Sequence, residues 1–373
     1  MQMIDLSSQY LRLKDEIDQA VQDVFRNAEF INGAPVKMFC ERLSSYVDSP
    51  YVIPCGNGTD ALRITLQALN IGPENDVILP AFTYIAPIEA VASVGASPIV
   101  VDVDPRTFNI NPELIEKAIT ARTKAIIVVH LFGQACDMEA IEKIAHKYKL
   151  IIIEDNAQSL GASYMYSNGQ TKKLGTIGRI GITSFFPTKP LACYGDGGAI
   201  FTSDSELAEQ ARLLANHGQT KKYYHKVIGS NSRLDTIQAA ILNIKLNYID
   251  EFTERRRQIA ERYDQTLKSC PDIILPEKRP YSTHVYHQYT LQVQNSKRDA
   301  LKAYLAENGI SSMIYYPLPI HEQEAYKWVA RLSGNQNEAK RLCNEVLSLP
   351  IHSEMTDEQQ TFIIETIGQF FFD

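Results

Sequence analysis

Lys189 stands in the stretch Ser184-Phe185-Phe186-Pro187-Thr188-Lys189-Pro190-Leu191, which runs on to Tyr194-Gly195-Asp196-Gly197-Gly198-Ala199. The surroundings are apolar and proline-flanked. Desolvation penalises the charged form of a lysine, so its pKa falls and the neutral amine becomes a usable nucleophile. The competing reading is a solvated loop lysine, the common fate of the residue. Composition by itself favours that second reading.

A second candidate closes the run Leu150-Ile151-Ile152-Ile153-Glu154-Asp155 and is followed by Asn156-Ala157-Gln158-Ser159. An acid at the mouth of a buried strand is costly unless it is paired. A protonated ring nitrogen is one such partner. Backbone N–H groups at a helix start are another. Two more stretches follow apolar runs. Cys55-Gly56-Asn57-Gly58-Thr59-Asp60 leads into a helical pattern. Its glycines permit a sharp turn, and free N–H groups at the helix start can hold a phosphate, with Thr59 adding a hydroxyl. A tight turn capped by Thr59 or Asp60 reads equally well. Phe82-Thr83-Tyr84 ends another run. Tyr84 can stack on a flat ring or serve as a core aromatic.

Cations and hydroxyls gather further on. His217-Gly218-Gln219 is followed by Lys221, Lys222, Tyr223, Tyr224 and His225, then by Asn231-Ser232-Arg233-Leu234-Asp235. The mixture suits a diphosphate and a sugar. It also suits a solvated loop and a capped helix start.

These residues need elements to position them. Five short runs rich in Ile and Val, at 51–54, 76–80, 97–104, 125–132 and 150–155, are apolar on consecutive residues. Strands buried on both faces read this way. Helical patterns lie between them. Leu62, Leu66 and Leu69 share one face, as do Ile141, Ile144 and Ala145. Strand and helix in alternation predict right-handed crossovers and a mainly parallel sheet, whose ligands bind outside the carboxyl ends of the strands. Two further strands are predicted at 181–186 and 197–203, then helices over about 204–216 and 233–246. A long charged helix over about 247–269 leads to a second unit. There the pattern predicts strands at 285–293 and 311–316, a helix near 297–308 and two closing helices.

The 373 residues exceed the roughly 250–300 at which single cores split, so two domains are expected. Apolar residues are 45% and charged residues 22%, as in an ordinary globular chain. A net charge of −7 argues against a nucleic-acid backbone as partner. The six cysteines form no CxxC pair, which predicts small buried side chains in a reducing compartment rather than a metal or redox motif. The start, MQMIDLSSQYLRLKDEID, lacks the basic and apolar segments of a signal peptide. No apolar stretch reaches the ~20 residues of a membrane span. A cytoplasmic protein with no membrane partner is expected.

CGNGTDAL, PAFTYIA, IIEDNAQSLGA and SFFPTKPLACYGDGGAIFT occur together in this order. In this the chain resembles the DegT/DnrJ/EryC1/StrS sugar aminotransferases, from Ile4-Asp5-Leu6 to Ser348-Leu349-Pro350. The resemblance implies an α/β fold of the aspartate aminotransferase type (pyridoxal-phosphate fold type I). A large domain over residues 1–246 would hold a mainly parallel seven-stranded sheet, and residues 247–373 a smaller α+β domain. It implies pyridoxal 5'-phosphate as cofactor, no metal, and a nucleotide-linked keto-sugar and L-glutamate as substrates. Lys189 matches the lysine that holds the cofactor covalently, and Asp155 the acid on its ring nitrogen. Gln158 matches the residue beside its phenolic oxygen. Thr59, the backbone near Gly58, and Ser184 match phosphate contacts, and Tyr84 matches the aromatic packed on the ring. Asn231 matches an asparagine that reaches the cofactor of the neighbouring subunit, which implies a homodimer with shared sites.

Within the family, RLDTIQAAIL and the HGQ…YYH…NSRLD stretch look most like bacterial enzymes acting on a UDP-linked 2-acetamido-3-oxo-glucuronic acid, destined for surface polysaccharide. That likeness marks Arg233, His217, Tyr315 and Tyr316 for substrate. This chain has Tyr315-Tyr316 where those relatives have a His-Tyr pair. Related enzymes for dTDP- or UDP-linked 3-keto and 4-keto sugars share the cofactor motifs. A sugar dehydratase of the family has histidine in place of Lys189. A nicotinamide-linked reductase wants GxGxxG, which CGNGTDAL does not supply. A cofactor-binding sensor without turnover is the binding-module alternative.

Overall fold

The computed structural model describes residues 1–372. Two helices come first. α1 (Leu6–Asn27) is capped by Asp5, whose carboxylate accepts the Ser8 N–H at 2.9 Å. α2 (Ala34–Val47) starts with proline in its first turn, where a missing N–H costs nothing. Then strand and helix alternate: β1 (Tyr51–Cys55), α3 (Gly58–Ala68), β2 (Asp76–Pro80), α4 (Ala86–Ser93), β3 (Ser97–Val101), α5 (Pro112–Ala118), β4 (Thr123–Val129), α6 (Met138–Tyr148) and β5 (Ile151–Asp155). α3 and α6 present the expected leucine and isoleucine faces to the core.

The main sheet has the order β1, Gly198–Thr202, Ile180–Ser184, β5, β4, β2, β3, Arg331–Ser333. Only Gly198–Thr202 runs against its neighbours, β1 and Ile180–Ser184. The sheet therefore has eight strands rather than the seven expected. The extra edge strand pairs Arg331, Leu332 and Ser333 with Ile99, Val100 and Val101. Gln336 Nε2 holds it by donating to the Val100 and Ser333 carbonyls. A strand of three residues is too short to show a period in sequence.

α7 (Ser205–Ala215) and α8 (Thr236–Lys245) follow the last central strands, and α9 (Ile249–Leu267) leads to a smaller sheet. That sheet pairs Ile273–Ile274, Tyr289–Val293 and Val346–Leu349. Two expectations are corrected here. Residues 311–316 form no strand, touching the sheet only through a Met313–Ser348 bridge, and Val346–Leu349 takes the place beside Tyr289–Val293. The strand expected at 285–293 begins only at Tyr289, because 285–288 docks on the loop after β4. There the Val285 N–H donates to the Gly133 carbonyl and the Gln288 N–H to that of Phe132.

We propose the division at residues 246–247 on the grounds that Ile259, Tyr263, Leu291, Leu347 and Ile363 share a core apart from that of the main sheet. The first residues cross that line, since Met1 and Met3 accept backbone hydrogen bonds from Ser311 and Ile351. Among the described residues no helix is long and apolar enough to cross a membrane, and no group of His, Cys, Asp and Glu is placed to hold a metal.

Candidate active site

β5 delivers Glu154 and Asp155 to opposite faces of the sheet, because successive side chains alternate. Both are buried. Glu154 accepts the amides of Gly175, Ile177 and Gly178 at 2.8, 2.6 and 2.5 Å and lies 2.9 Å from His130 Nε2. The Nδ1 atom of His130 accepts the Cys136 N–H, so the Nε2 proton points at Glu154. Glu154 is thus consumed by structure. Asp155 receives one backbone amide, Ala157 N–H at 3.0 Å. Burial raises the pKa of its carboxyl, while that amide and the charge of Lys189 oppose the rise.

Ile180–Ser184 and Gly198–Thr202 run antiparallel beside β5, and the loop between them carries Lys189. The loop is closed at its base by Phe185 N–H to the Gly197 carbonyl (2.8 Å) and Cys193 N–H to the Phe185 carbonyl (2.9 Å). Lys189 is half-buried. Burial pushes its amine down to about 8, and the Asp155 charge pulls the other way. Lys189 is thus partly buried rather than fully solvated in its loop.

The helix start beyond β1 is capped by Asn57, whose Oδ1 accepts the Asp60 N–H at 2.8 Å, and not by Thr59 or Asp60. The amides of Gly58 and Thr59 occupy the first helical positions, which have no intrahelical acceptor. A Cβ on Gly58 would stand 2.8 Å from Ser184 Cβ, so only glycine lets the two segments meet. Ser184 Oγ accepts the Phe186 N–H, which leaves its own proton free to donate. Across the mouth, Tyr316 packs against Phe82, Phe132 and Tyr84 with ring centroids 5.9, 6.5 and 6.3 Å apart. Tyr315 lies against Tyr316. Tyr84 is exposed at the rim rather than in the core. Gln158 locks this wall, accepting the Phe132 N–H at 2.9 Å and donating to the Tyr316 hydroxyl at 3.1 Å. One of its amide protons stays free.

The donor set fits a flat group bearing an aldehyde, a ring nitrogen and a phosphate. Lys189 can bond the aldehyde, and Asp155 can pair with the nitrogen. The Gly58 and Thr59 amides and Ser184 can hold the phosphate, and the aromatic wall can flank the ring.

The remaining sequence candidates gather elsewhere. Asn231 is exposed and bridges to Asn216, and Arg233 Nη1 donates to Asn216 Oδ1 at 3.0 Å. Arg233 Nε is buried without a partner among the described residues. His217 is exposed, its carbonyl facing His225 Nδ1 at 2.9 Å. Lys221 and Lys222 lie over the rings of Tyr224 and Tyr223 on an exposed hairpin. This segment meets the Gly56 turn through Ser232 Oγ, which accepts the Gly56 N–H at 3.0 Å. No hydrogen bond joins it to Lys189 or Asp155 among the described residues. Sequence reasoning missed His130 and His287. The first follows β4 at its carboxyl end, a position that could have flagged it. The second is buried, and burial together with the Lys189 and Arg256 charges pushes its imidazole well below its ordinary range.

A sequence model of the DegT/DnrJ/EryC1/StrS aminotransferase family matches residues 11–368. The chain belongs to that family. It is 46% identical to a UDP-2-acetamido-2-deoxy-3-oxo-D-glucuronate aminotransferase of Pseudomonas aeruginosa, over 94% of this chain and 95% of the relative. It is also 46% identical to a pleiotropic regulatory protein of Geobacillus stearothermophilus, over 99% of this chain and 98% of the other. A solved DegT/DnrJ/EryC1/StrS aminotransferase from Brucella abortus superposes with a TM-score of 0.94 at 41% identity, covering 100% of both chains. NtdA from Bacillus subtilis, solved with bound cofactor PMP, superposes at 0.87 and 32% identity over 96% of this chain and 82% of that one. This member of the DegT/DnrJ/EryC1/StrS family is a pyridoxal-phosphate-dependent sugar aminotransferase with an α/β fold.

Proposed function

We propose that the protein moves the amino group of L-glutamate onto UDP-2-acetamido-2-deoxy-3-oxo-D-glucuronic acid, in the cytoplasm, for a surface polysaccharide such as O-antigen. The observation that carries the chemistry is one desolvated lysine beside one buried carboxylate at the strand ends. The substrate rests on the Pseudomonas relative. When bound, pyridoxal phosphate supplies an electron sink for the carbon that loses its proton. Lys189 would hold the cofactor, and as a neutral amine it would take the proton from the donor Cα. Asp155 would keep the ring nitrogen protonated, and Gln158 would donate to the phenolic oxygen. Gly58, Thr59 and Ser184 would hold the phosphate, and the aromatic wall would flank the ring. Glutamate leaves as 2-oxoglutarate with uptake of one water, and the same residues in reverse order would aminate the keto-sugar, whose keto oxygen leaves as water.

Arg233 is the proposed contact to the sugar carboxylate, since its fork offers two parallel charge-assisted hydrogen bonds. His217, Tyr315 and Tyr316 complete the sugar site, and Lys221, Lys222 and His225 serve the diphosphate. The test is a screen of UDP- and dTDP-linked amino sugars run in reverse with 2-oxoglutarate. The UDP-linked amino-uronic acid is expected to give glutamate fastest. Arg233→Ala should lower kcat/KM for the sugar roughly ten- to a hundredfold, the loss of about 1.5–3 kcal/mol, and leave the glutamate half-reaction less affected. Preference for a neutral dTDP-linked sugar overturns the substrate and leaves the transamination standing. The name of the Geobacillus relative favours a second reading, a cofactor-binding regulator. Failure of every amino sugar and of glutamate to convert bound cofactor would select it.

We further propose a homodimer in which Asn231, with Arg233, enters the partner's site. Support comes from the apolar surface beside that segment. Ile31 is exposed and bridges to Asp235, the Phe30 carbonyl accepts the Thr236 N–H, and exposed Phe25 packs on Phe30. Lys189→Ala and Asn231→Ala subunits, each weak alone, are expected to regain activity on mixing. One site of the mixed dimer then carries both lesions and the other neither. No recovery after confirmed subunit exchange would place Asn231 in its own subunit's site.

A further inference from the structure

α8 holds the loop that carries Lys189. Gln238, in its first turn, grips Tyr194 from both sides. Its Oε1 accepts the Tyr194 N–H at 2.9 Å, and its Nε2 donates to the Tyr194 carbonyl at 3.2 Å. The grip is close, since a Cβ on Gly195 would stand 2.9 Å from Gln238 Nε2. Lys245 lies seven residues on, two helical turns away on the same face. Its Nζ is 4.9 Å from the centroid of the Tyr194 ring, and Tyr10 of α1 meets that ring edge-on at 6.0 Å. Lys245 is 2% exposed, and among the described residues its Nζ has no hydrogen-bond partner. A buried ammonium with no carboxylate is costly. The ring face is the favourable contact the structure offers it.

The loop needs such a hold. Its base is tied at Phe185, Cys193 and Gly197, and between Lys189 and Cys193 the backbone has, among the described residues, only the Lys189 N–H to Phe186 carbonyl turn. α8 itself is fixed, packed against α1 and α2 through Ile241, Ala239 and Leu242.

We infer that Gln238 and Lys245 are positioning residues, a clasp on Tyr194 that fixes the reach and the desolvation of Lys189. The inference rests on the reading that Lys189 bonds the cofactor. A lysine that must bond, release and then move a proton within one site loses rate steeply with small misplacements. The charge that acts on Lys189 is that of Asp155 at the end of β5, and the imidazole of His287, on the segment docked at Gly133, is itself kept neutral by burial and by the Lys189 charge. The clasp touches neither, and of the three variants below Gln238→Ala loosens it without adding or removing a charge.

The test uses Gln238→Ala, Gln238→Glu and Lys245→Met in the full chain. Three things are measured: hydrogen exchange of the peptide covering 187–196, the pH midpoint for pyridoxal phosphate uptake by cofactor-free protein, and kcat against KM. In Gln238→Ala exchange should rise about tenfold. The midpoint should climb from near 8 towards the ordinary lysine value of 10.5, and kcat should fall about ten- to a hundredfold with the glutamate KM little changed. Gln238→Glu keeps the acceptor and loses the donor, so it should fall between. Lys245→Met should move exchange and midpoint in the same direction, more weakly. Should Gln238→Ala not fold, the other two variants decide. A residue that only stabilises the fold would lower Tm without moving the midpoint. An unmoved midpoint and unmoved exchange in folded variants therefore overturn the clasp. Borohydride mapping runs alongside: label on a different lysine overturns the underlying reading of Lys189, whereas label on Lys189 with an unmoved midpoint overturns the clasp alone.

Discussion

Lys189→Ala is expected to lower turnover by roughly a hundred- to ten-thousandfold, the usual contribution of a positioned proton-transfer group. The cofactor should still bind, because the Gly58 and Thr59 amides, Ser184 and the aromatic wall are untouched. It should no longer be fixed by borohydride. In the unaltered protein, reduction and peptide mapping should place the pyridoxyl group on Lys189. The physical basis is the burial that brings this amine to about 8. At about pH 7.5 such a group is roughly one quarter neutral, against about one part in a thousand for an ordinary lysine. Cofactor uptake should accordingly rise with pH through about 8 and level off well before 10.5. Label on another lysine, or near-normal turnover in folded Lys189→Ala, would sink the assignment.

Asp155→Asn should keep the cofactor and lose turnover by roughly a hundredfold or more. A carboxylate can hold the ring nitrogen protonated and an amide cannot, and a charge-assisted bond is lost with it. The backbone contact survives, for the asparagine side-chain oxygen can still accept the Ala157 N–H. The variant has a second signature whose sign is fixed. The Asp155 charge favours the protonated form of Lys189. Its removal should move the uptake midpoint further down, below about 8, whereas loosening the Tyr194 clasp should move it up. Single-turnover rates with glutamate near those of the unaltered protein would take the role away from Asp155.

The main sheet was legible because its five leading strands are apolar on consecutive residues and separated by helices with clear faces. Strands buried on both sides leave that mark wherever they stand in the chain. The run at 311–316 shows the limit. It is apolar and aromatic like a strand, yet Tyr316 turns to Gln158 in the aromatic wall, and only Met313 bridges to a neighbour among the described residues. Arg331–Ser333 shows the converse, a strand of three residues made by its pairing with β3 and by the Gln336 tie. Hydrophobic pattern reports which side chains are buried and does not report what buries them.

The site divides along the same line. Local patterns of residue type already marked the candidate positions: an amine in an apolar loop, acids closing an isoleucine run, a glycine turn before a helix and an aromatic after a strand. Burial at these points follows from neighbours only a few residues away. Tertiary structure alone decided which of two adjacent acids is available. The sheet turns Glu154 towards three amides and His130 and leaves Asp155 with one amide. It likewise decided that Asn57 caps α3, that Gln158 ties Phe132 to Tyr316, and that Gln238 grips Tyr194. The last two ties span from 26 to 158 residues of chain. Such contacts depend on distance and direction in space, and a local pattern of side-chain types carries neither.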